Sequence, residues 1–253
     1  MIRRLFLSIC LLFSLLSVAE AQLMAPVGSI MAEAKAATDA KDLARAVELY
    51  KTAYVNEEPH AAEQLARIYL EGEDGVAADF TAARLWAQKS ANAGEARGLL
   101  YLGKIWMEGL GVSKDLDKAL GYFQQADMVG DMKSARYIGL IALERHENAK
   151  AVHWFEKGAN AGDITSQYYL GRAYQTGDGI AQDFTTALKW YTTAATRGDL
   201  IASDGMVGLA SLYEQGQGVP TDLEKAKAFL TKAAVLGNAK AQEELNRISK
   251  VQS

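Results

Sequence analysis

The chain has 253 residues, with 27 Lys+Arg against 31 Asp+Glu, a formal charge of −4 and a single cysteine. An acidic balance without a Lys/Arg-rich run makes nucleic acid a poor partner, and one thiol can supply neither an intrachain disulfide nor a cluster of thiolate ligands. No apolar run reaches the roughly 20 residues a spanning helix needs, so no membrane span is expected.

In chain order, Arg3 and Arg4 precede an apolar run from Leu5 to Val18 that ends at Ala19-Glu20-Ala21. This is the pattern of a cleaved secretory signal over residues 1–21, which predicts a mature start at Gln22 and a periplasmic or secreted product. Ser8 and Ile9 before Cys10 do not resemble a lipoprotein cleavage box, so lipid anchoring is not expected. Losing Arg3, Arg4 and Glu20 leaves 25 basic and 30 acidic residues, a charge of −5, and no cysteine. The exported chain must then be held by packing alone.

Residues 22–253 are expected to form a single helical solenoid. Ile30 to Ala37 and Leu43 to Val55 read as a helical hairpin within residues 28–58, five repeat units fill 60–238, and residues 239–250 form a terminal helix polar enough to cap the stack. A glycine followed by an acid or amide closes each unit: Gly94-Glu95, Gly130-Asp131, Gly162-Asp163, Gly198-Asp199 and Gly237-Asn238. The intervals of 36, 32, 36 and 39 residues are those of stacked helical pairs. About 13 helices follow, with no long strand.

The first helix of a unit carries an apolar residue, a small one, and an aromatic three further on: Leu65-Ala66 with Tyr69, Leu102-Gly103 with Trp106, Leu170-Gly171 with Tyr174, and Leu209-Ala210 with Tyr213. The small residue admits a neighbouring helix and the aromatic fills the space beside it. Glycine turns follow at Gly72, Gly109, Gly177 and Gly216, and they lack the preceding strand and fixed spacing of a phosphate loop. Asp79, Asp115, Asp183 and Asp222 are predicted to cap the second helices. Those helices pair an alanine with an aromatic: Ala83 and Trp86, Ala119 and Tyr122, Ala151 and Trp154, Ala187 and Trp190, Ala226 and Phe229. The five aromatics are expected to form one buried column. Truncating any of them to alanine would then cost about 3–5 kcal/mol.

The segments YLGKIWMEGLGVSKDLDKALGYFQQADMVGD, Tyr101 to Asp131, and YLGRAYQTGDGIAQDFTTALKWYTTAATRGD, Tyr169 to Asp199, resemble the Sel-one-like repeat (SLR) family, a relative of the tetratricopeptide repeat. The resemblance covers nearly all of residues 61–238. It implies an all-α fold, a right-handed alpha-alpha superhelix, and an adaptor role in signalling, envelope assembly, secretion or toxin neutralisation. Two departures stand out. The unit from Met132 to Asp163 is four residues short and reads Ala142-Leu143-Glu144-Arg145-His146-Glu147 where a glycine turn is expected, and the last unit gains three residues around Leu200 to Asp204.

A catalytic reading of the expected mature chain finds no thiol, no nucleophile motif and three histidines. His60 opens a helix after Pro59, and His146 and His153 lie seven apart, which does not make a ligand set. No catalytic, cofactor-binding or metal residues are assigned, and the chain reads as a non-enzyme. Some secreted relatives with a cysteine pair in every repeat are associated with β-lactam binding, an activity that does not carry over to a chain lacking those cysteines.

Tetratricopeptide-type stacks line their concave face with the first helices. One residue after the small position gives Arg67, Lys104, Leu140, Arg172 and Ser211, and five after gives Glu71, Glu108, Glu144, Thr176 and Gln215. A basic row extended by Arg97, Lys133 and Arg136 would run beside an acidic row, with Leu100, Met107, Leu140, Tyr168 and Val207 near them. Such a groove suits another protein or a peptide segment. Alternatively, Arg67 with Glu71 and Lys104 with Glu108 are ordinary i,i+4 pairs worth about 0.2–0.5 kcal/mol each. The functional expectations are a scaffold or adaptor in the bacterial envelope, an immunity protein that neutralises a toxic enzyme, or an envelope enzyme acting on peptidoglycan or a β-lactam.

Overall fold

A computed structural model of the chain describes residues 27–72 and 75–251. The expected signal segment, residues 1–21, lies outside the described residues, as do Glu73 and Asp74 in the longest glycine turn. Thirteen α-helices are present among the described residues: α1 (Val27–Asp39), α2 (Leu43–Val55), α3 (His60–Glu71), α4 (Phe80–Asn92), α5 (Ala96–Glu108), α6 (Leu116–Met128), α7 (Ser134–Glu144), α8 (Asn148–Asn160), α9 (Ile164–Thr176), α10 (Phe184–Ala195), α11 (Ser203–Gln215), α12 (Leu223–Val235) and α13 (Ala239–Val251). No strand occurs among these residues, so the chain is all-α, as its repeat predicts.

Capping explains where the helices start. The Asp183 carboxylate accepts from the Thr185 and Thr186 amides at 2.9 and 3.1 Å, Asp79 from Thr81 and Ala82, Asp115 from Lys118, and Asp222 from Lys225. The acid or amide after the closing glycine does the same for the next helix: Asp131, Asp163 and Asn238 accept from the amides of Ser134, Ser166 and Ala241. These bonds satisfy amides that have no partner within their own helix. These four second-helix caps are also tied back, their own amides donating to the carbonyl of the preceding aromatic at 2.9 Å: Asp79 to Tyr69, Asp115 to Trp106, Asp183 to Tyr174 and Asp222 to Tyr213.

Helix ends follow the same logic. Gly177 ends α9 at φ 80° and is representative of the turn glycines. The shortened unit has no glycine to offer, and His146 itself takes the left-handed conformation, φ 59°, between α7 and α8. The three extra residues of the last unit form a short 3-10 turn, Leu200–Ala202, whose Ala202 amide donates to Asp199.

The molecule divides into two compact units, residues 1–122 and 123–253, with the division inside α6. In the first, consecutive helices from α1 to α5 pack on one another, and α3 also meets α5. Its core gathers Ile30, Val47, Tyr50, Leu65 and Ile68, with Tyr54 set edge-on against Trp86 at 5.2 Å. In the second unit, consecutive helices from α7 to α13 pack in the same way, and α9 touches both α7 and α11.

The expected aromatic column is shifted by one residue. Trp86, Tyr122, Trp154, Trp190 and Phe229 are all half-buried, whereas the residue after each is buried: Ala87, Phe123, Phe155, Tyr191 and Leu230. These lie four residues after the buried alanines Ala83, Ala119, Ala151, Ala187 and Ala226 and so share their face. Phe123 and Phe155 stack on Tyr137 and Tyr169 of the following helices, both at 4.8 Å between centroids.

Candidate functional site

In the second unit three first helices, α7, α9 and α11, and the terminal α13 offer three equivalent inter-helix grooves, floored by α8, α10 and α12. They differ in what crosses them. Between α9 and α11 the Gln175 amide donates to Ser211 Oγ at 3.1 Å and to Gln217 Oε1 at 2.7 Å, and accepts from the Tyr191 hydroxyl at 2.8 Å. Between α11 and α13 lies a 360 Å³ groove with Val207, Ala210 and Leu230 among its lining. Arg247 spans it to both Glu214 oxygens at 2.6 and 2.7 Å. Those two hydrogen bonds, joined by one to Glu244, hold the guanidinium far above its ordinary pKa.

Between α7 and α9 the bonds from Arg136 to Asp163 and Thr165 join only the N-terminal ends of the two helices, and among the described residues no such tie crosses the groove beyond them. Where α9 carries Gln175, α7 carries Leu143; where α10 carries Tyr191, α8 carries Phe155; and where α11 carries Ser211, α9 carries Arg172. The result is a 460 Å³ groove with Leu140, Leu143, Val152, Phe155 and Ala173 among its lining and Arg172 on its rim. The Arg172 guanidinium makes no ion pair among the described residues, while Glu144, His146, Thr176 and Asp178 complete the polar rim. Asp178 accepts from the Thr176 hydroxyl at 2.8 Å. An apolar floor under a charged rim can take one apolar side chain of a polypeptide and anchor an adjacent carboxylate.

The expected surface residues thus fall into several groups. Leu140, Glu144 and Arg172 share the α7–α9 groove, and Ser211 and Gln215 line the α11–α13 groove. Arg67, in the first unit, lines a separate 440 Å³ groove with Met31, Lys35, Tyr50 and Gln64. It also pairs with Glu71 at 2.7 Å, so the ordinary i,i+4 reading holds for that pair. Lys104 and Glu108 form no ion pair with each other, Lys104 and Met107 being half-buried and Glu108 exposed. Arg97 reaches Glu63 at 3.4 Å, and Lys133 is exposed just before α7.

Three expected positions contribute little open surface. Leu100 and Val207 are 5% and 6% exposed, turned into the packing between helices. Arg136 bonds Asp163 and Thr165, both at 3.1 Å, and stacks on Tyr137, so it ties α7 to the cap of α9. Tyr168 is half-buried at 5.9 Å from the Tyr191 ring, and burial pushes its phenol up. The floor residues Val152 and Phe155 lie on α8, a second helix, and so outside the first-helix positions, while Leu143 lies on α7 four residues after Gly139, between the two positions counted there. Their signal is the fourth position after Ala151, Phe155, which puts an aromatic on the alanine face. His146 joins this groove and His153 is exposed on α8 beside Trp154.

Five segments of the chain, residues 59–95, 96–126, 136–163, 164–199 and 203–238, match the Sel1 repeat. A crystal structure of a Sel1 repeat protein from Oxalobacter formigenes has a TM-score of 0.75 and 26% identity, covering 86% of this chain and 89% of that one. The immunity protein Pa5087 from Pseudomonas aeruginosa has a TM-score of 0.52 at 19% identity over 72% of this chain and 67% of its own, a likeness of fold. Among curated proteins, the chitin synthase regulator SKT5 of Saccharomyces cerevisiae is 34% identical over 60% of this chain and 24% of its own length. The chain spans about a quarter to a third of the curated relatives it matches.

Proposed function

Because this chain belongs to the Sel1 repeat family, whose repeats mediate protein–protein interaction, we propose that it is a non-enzymatic scaffold of the bacterial envelope that holds a segment of another protein in the α7–α9 groove. The observation that carries this reading is the contrast within one unit. Two equivalent grooves are crossed by the chain's own polar side chains, and the third keeps an apolar floor with Arg172, unpaired among the described residues, on its rim. A polar tie within the chain is complete in itself, whereas an unpaired cation beside apolar surface gains most from a partner. The envelope location rests on the signal pattern of residues 1–21.

The test compares capture of periplasmic proteins by the wild-type chain, by Arg172→Glu and by Lys189→Glu, an exposed change on α10 outside the groove. A partner retained by wild type and Lys189→Glu but lost by Arg172→Glu supports the groove. Equal recovery by all three, with unchanged helicity, overturns it. Toxin neutralisation is a second reading, suited to the same groove; it is supported when the captured partner is an enzyme whose activity the chain abolishes at equimolar ratio. Turnover of cell-wall fragments or of a chromogenic lactam by the purified protein would refute the non-enzyme assignment.

A further inference from the structure

Outside the grooves, the fold of the first unit gathers three metal-ligating side chains from two places in the chain. His60 opens α3, Glu63 lies one turn later on the same helix, and Glu95 comes from the turn before α5. One ligand atom from each lies within 4.8 Å of the others, and His60 Nδ1 is 3.1 Å from Glu95 Oε1. Glu95 also breaks the pattern of its own repeat position. Asp131, Asp163, Asp199 and Asn238, which follow the other closing glycines, each cap the next helix, whereas Glu95 makes no side-chain capping bond to α5 and turns instead to His60. Facing the cluster are Arg97, 3.4 Å from Glu63, and the buried Tyr101, whose phenol is pushed up to about 12 by burial and then by the Glu63 carboxylate, with Glu71 and Arg67 acting on it more weakly.

We propose that His60, Glu63 and Glu95 form a binding site for a divalent transition-metal ion of the Zn²⁺ class, tying the start of α3 to the turn before α5. One imidazole nitrogen with two carboxylates suits borderline cations better than Ca²⁺ or Mg²⁺, which prefer all-oxygen shells. Tetrahedral ligands at roughly 2.0–2.2 Å from a metal sit about 3.4 Å from one another. The present spread of up to 4.8 Å must narrow when an ion binds, and His60, whose side chain is 61% exposed, has solvent around it in which to move. Three protein donors leave the fourth position to water. The Arg97 guanidinium competes for Glu63, so its removal should favour the ion.

The test is Zn²⁺ titration of the full-length, tag-free protein by calorimetry, paired with the absorption of Co²⁺ as a spectroscopic stand-in. The expected result is one saturable site per chain, weakened at least tenfold by His60→Gln and by Glu95→Gln, and kept or strengthened by Arg97→Gln. Circular dichroism of each variant separates loss of the site from loss of the fold. Absence of a saturable site in the wild type overturns the proposal. So does unchanged affinity and an unchanged Co²⁺ spectrum in folded His60→Gln, which would reduce the binding to general attraction by an acidic surface.

Discussion

The Tyr191 hydroxyl donates to Gln175 Oε1 at 2.8 Å, while the same ring lies against the backbone of Gly171 and Gly208. A Cβ built on Gly171 would sit 2.8 Å from the ring, and one built on Gly208 would sit 2.5 Å from it. The ring therefore fills the space between α9 and α11 that two glycines leave, and its one polar atom is satisfied from α9. Tyr191→Phe should cost about 1 kcal/mol, the net value of one hydrogen bond. Gly208→Ala should cost about 1–3 kcal/mol through overpacking. Urea unfolding of the two variants checks both, and a neutral Gly208→Ala would show that the ring is not held where it is placed.

The one-residue shift of the buried column makes a paired prediction. Phe155 is 1% exposed and stacks on Tyr169, so Phe155→Ala should cost about 3–5 kcal/mol. Trp154, half-buried with Lys157 over its ring at 5.2 Å, should cost less than half as much when cut to alanine. Parallel denaturant midpoints decide the order. The reverse order would restore the column expected from sequence.

His146 is a natural outlier with a definite remedy. A non-glycine residue in the left-handed region stores about 1 kcal/mol or more that glycine does not. His146→Gly should raise the unfolding free energy by about 1 kcal/mol, less the added backbone freedom of the unfolded chain. A lower melting temperature in this variant would mean that the imidazole makes a compensating contact in the α7–α9 groove.

The caps predict acid sensitivity of a stated sign. The Thr186 hydroxyl, followed by the Thr186 and Thr185 amides, holds the Asp183 carboxyl below its ordinary value. A folded pKa below the unfolded value of about 3.9 adds stability that is fully present above that value and is lost as pH falls through the folded one. Asp183→Asn keeps an oxygen for the same amides but does not titrate there. Its melting temperature should fall less than that of the wild type between about pH 5 and pH 2.5. Identical slopes for the two proteins would remove Asp183 from the acid response.

The Arg136–Asp163 pair joins residues 27 apart in sequence and is mostly shielded from water, so Arg136→Ala should cost about 2 kcal/mol by removing charged hydrogen bonds to the cap of α9. Asp163 keeps its bonds to the Ser166 amide and hydroxyl, which limits the loss. Thermal unfolding measures it.

Helix starts, helix ends and the phase of the repeat were legible along the chain because the bonds that set them close over a few residues. Asp183 finds its amides two and three positions on, and Gly177 needs only its own φ. Even the missing turn of the shortened unit was visible, although the sequence did not show that His146 would adopt the glycine conformation. The groove positions counted from the small residue were also partly readable: Leu140, Arg172 and Ser211 do line grooves in the second unit.

The rest was decided by neighbours. Adjacent residues on a helix point about 100° apart, and only the place where the next helix lies determines that Phe155 and not Trp154 turns inward. The same holds for Arg136, which reads as a surface cation until α9 brings Asp163 to it, and for the three equivalent grooves, whose openness depends on whether side chains such as Gln175 or Arg247 find partners across the gap. Local hydrogen bonding, closed within a turn or two, is written in the order of the residues. Facing, pairing and closure depend on distances between segments tens of residues apart, and those exist only once the helices have packed.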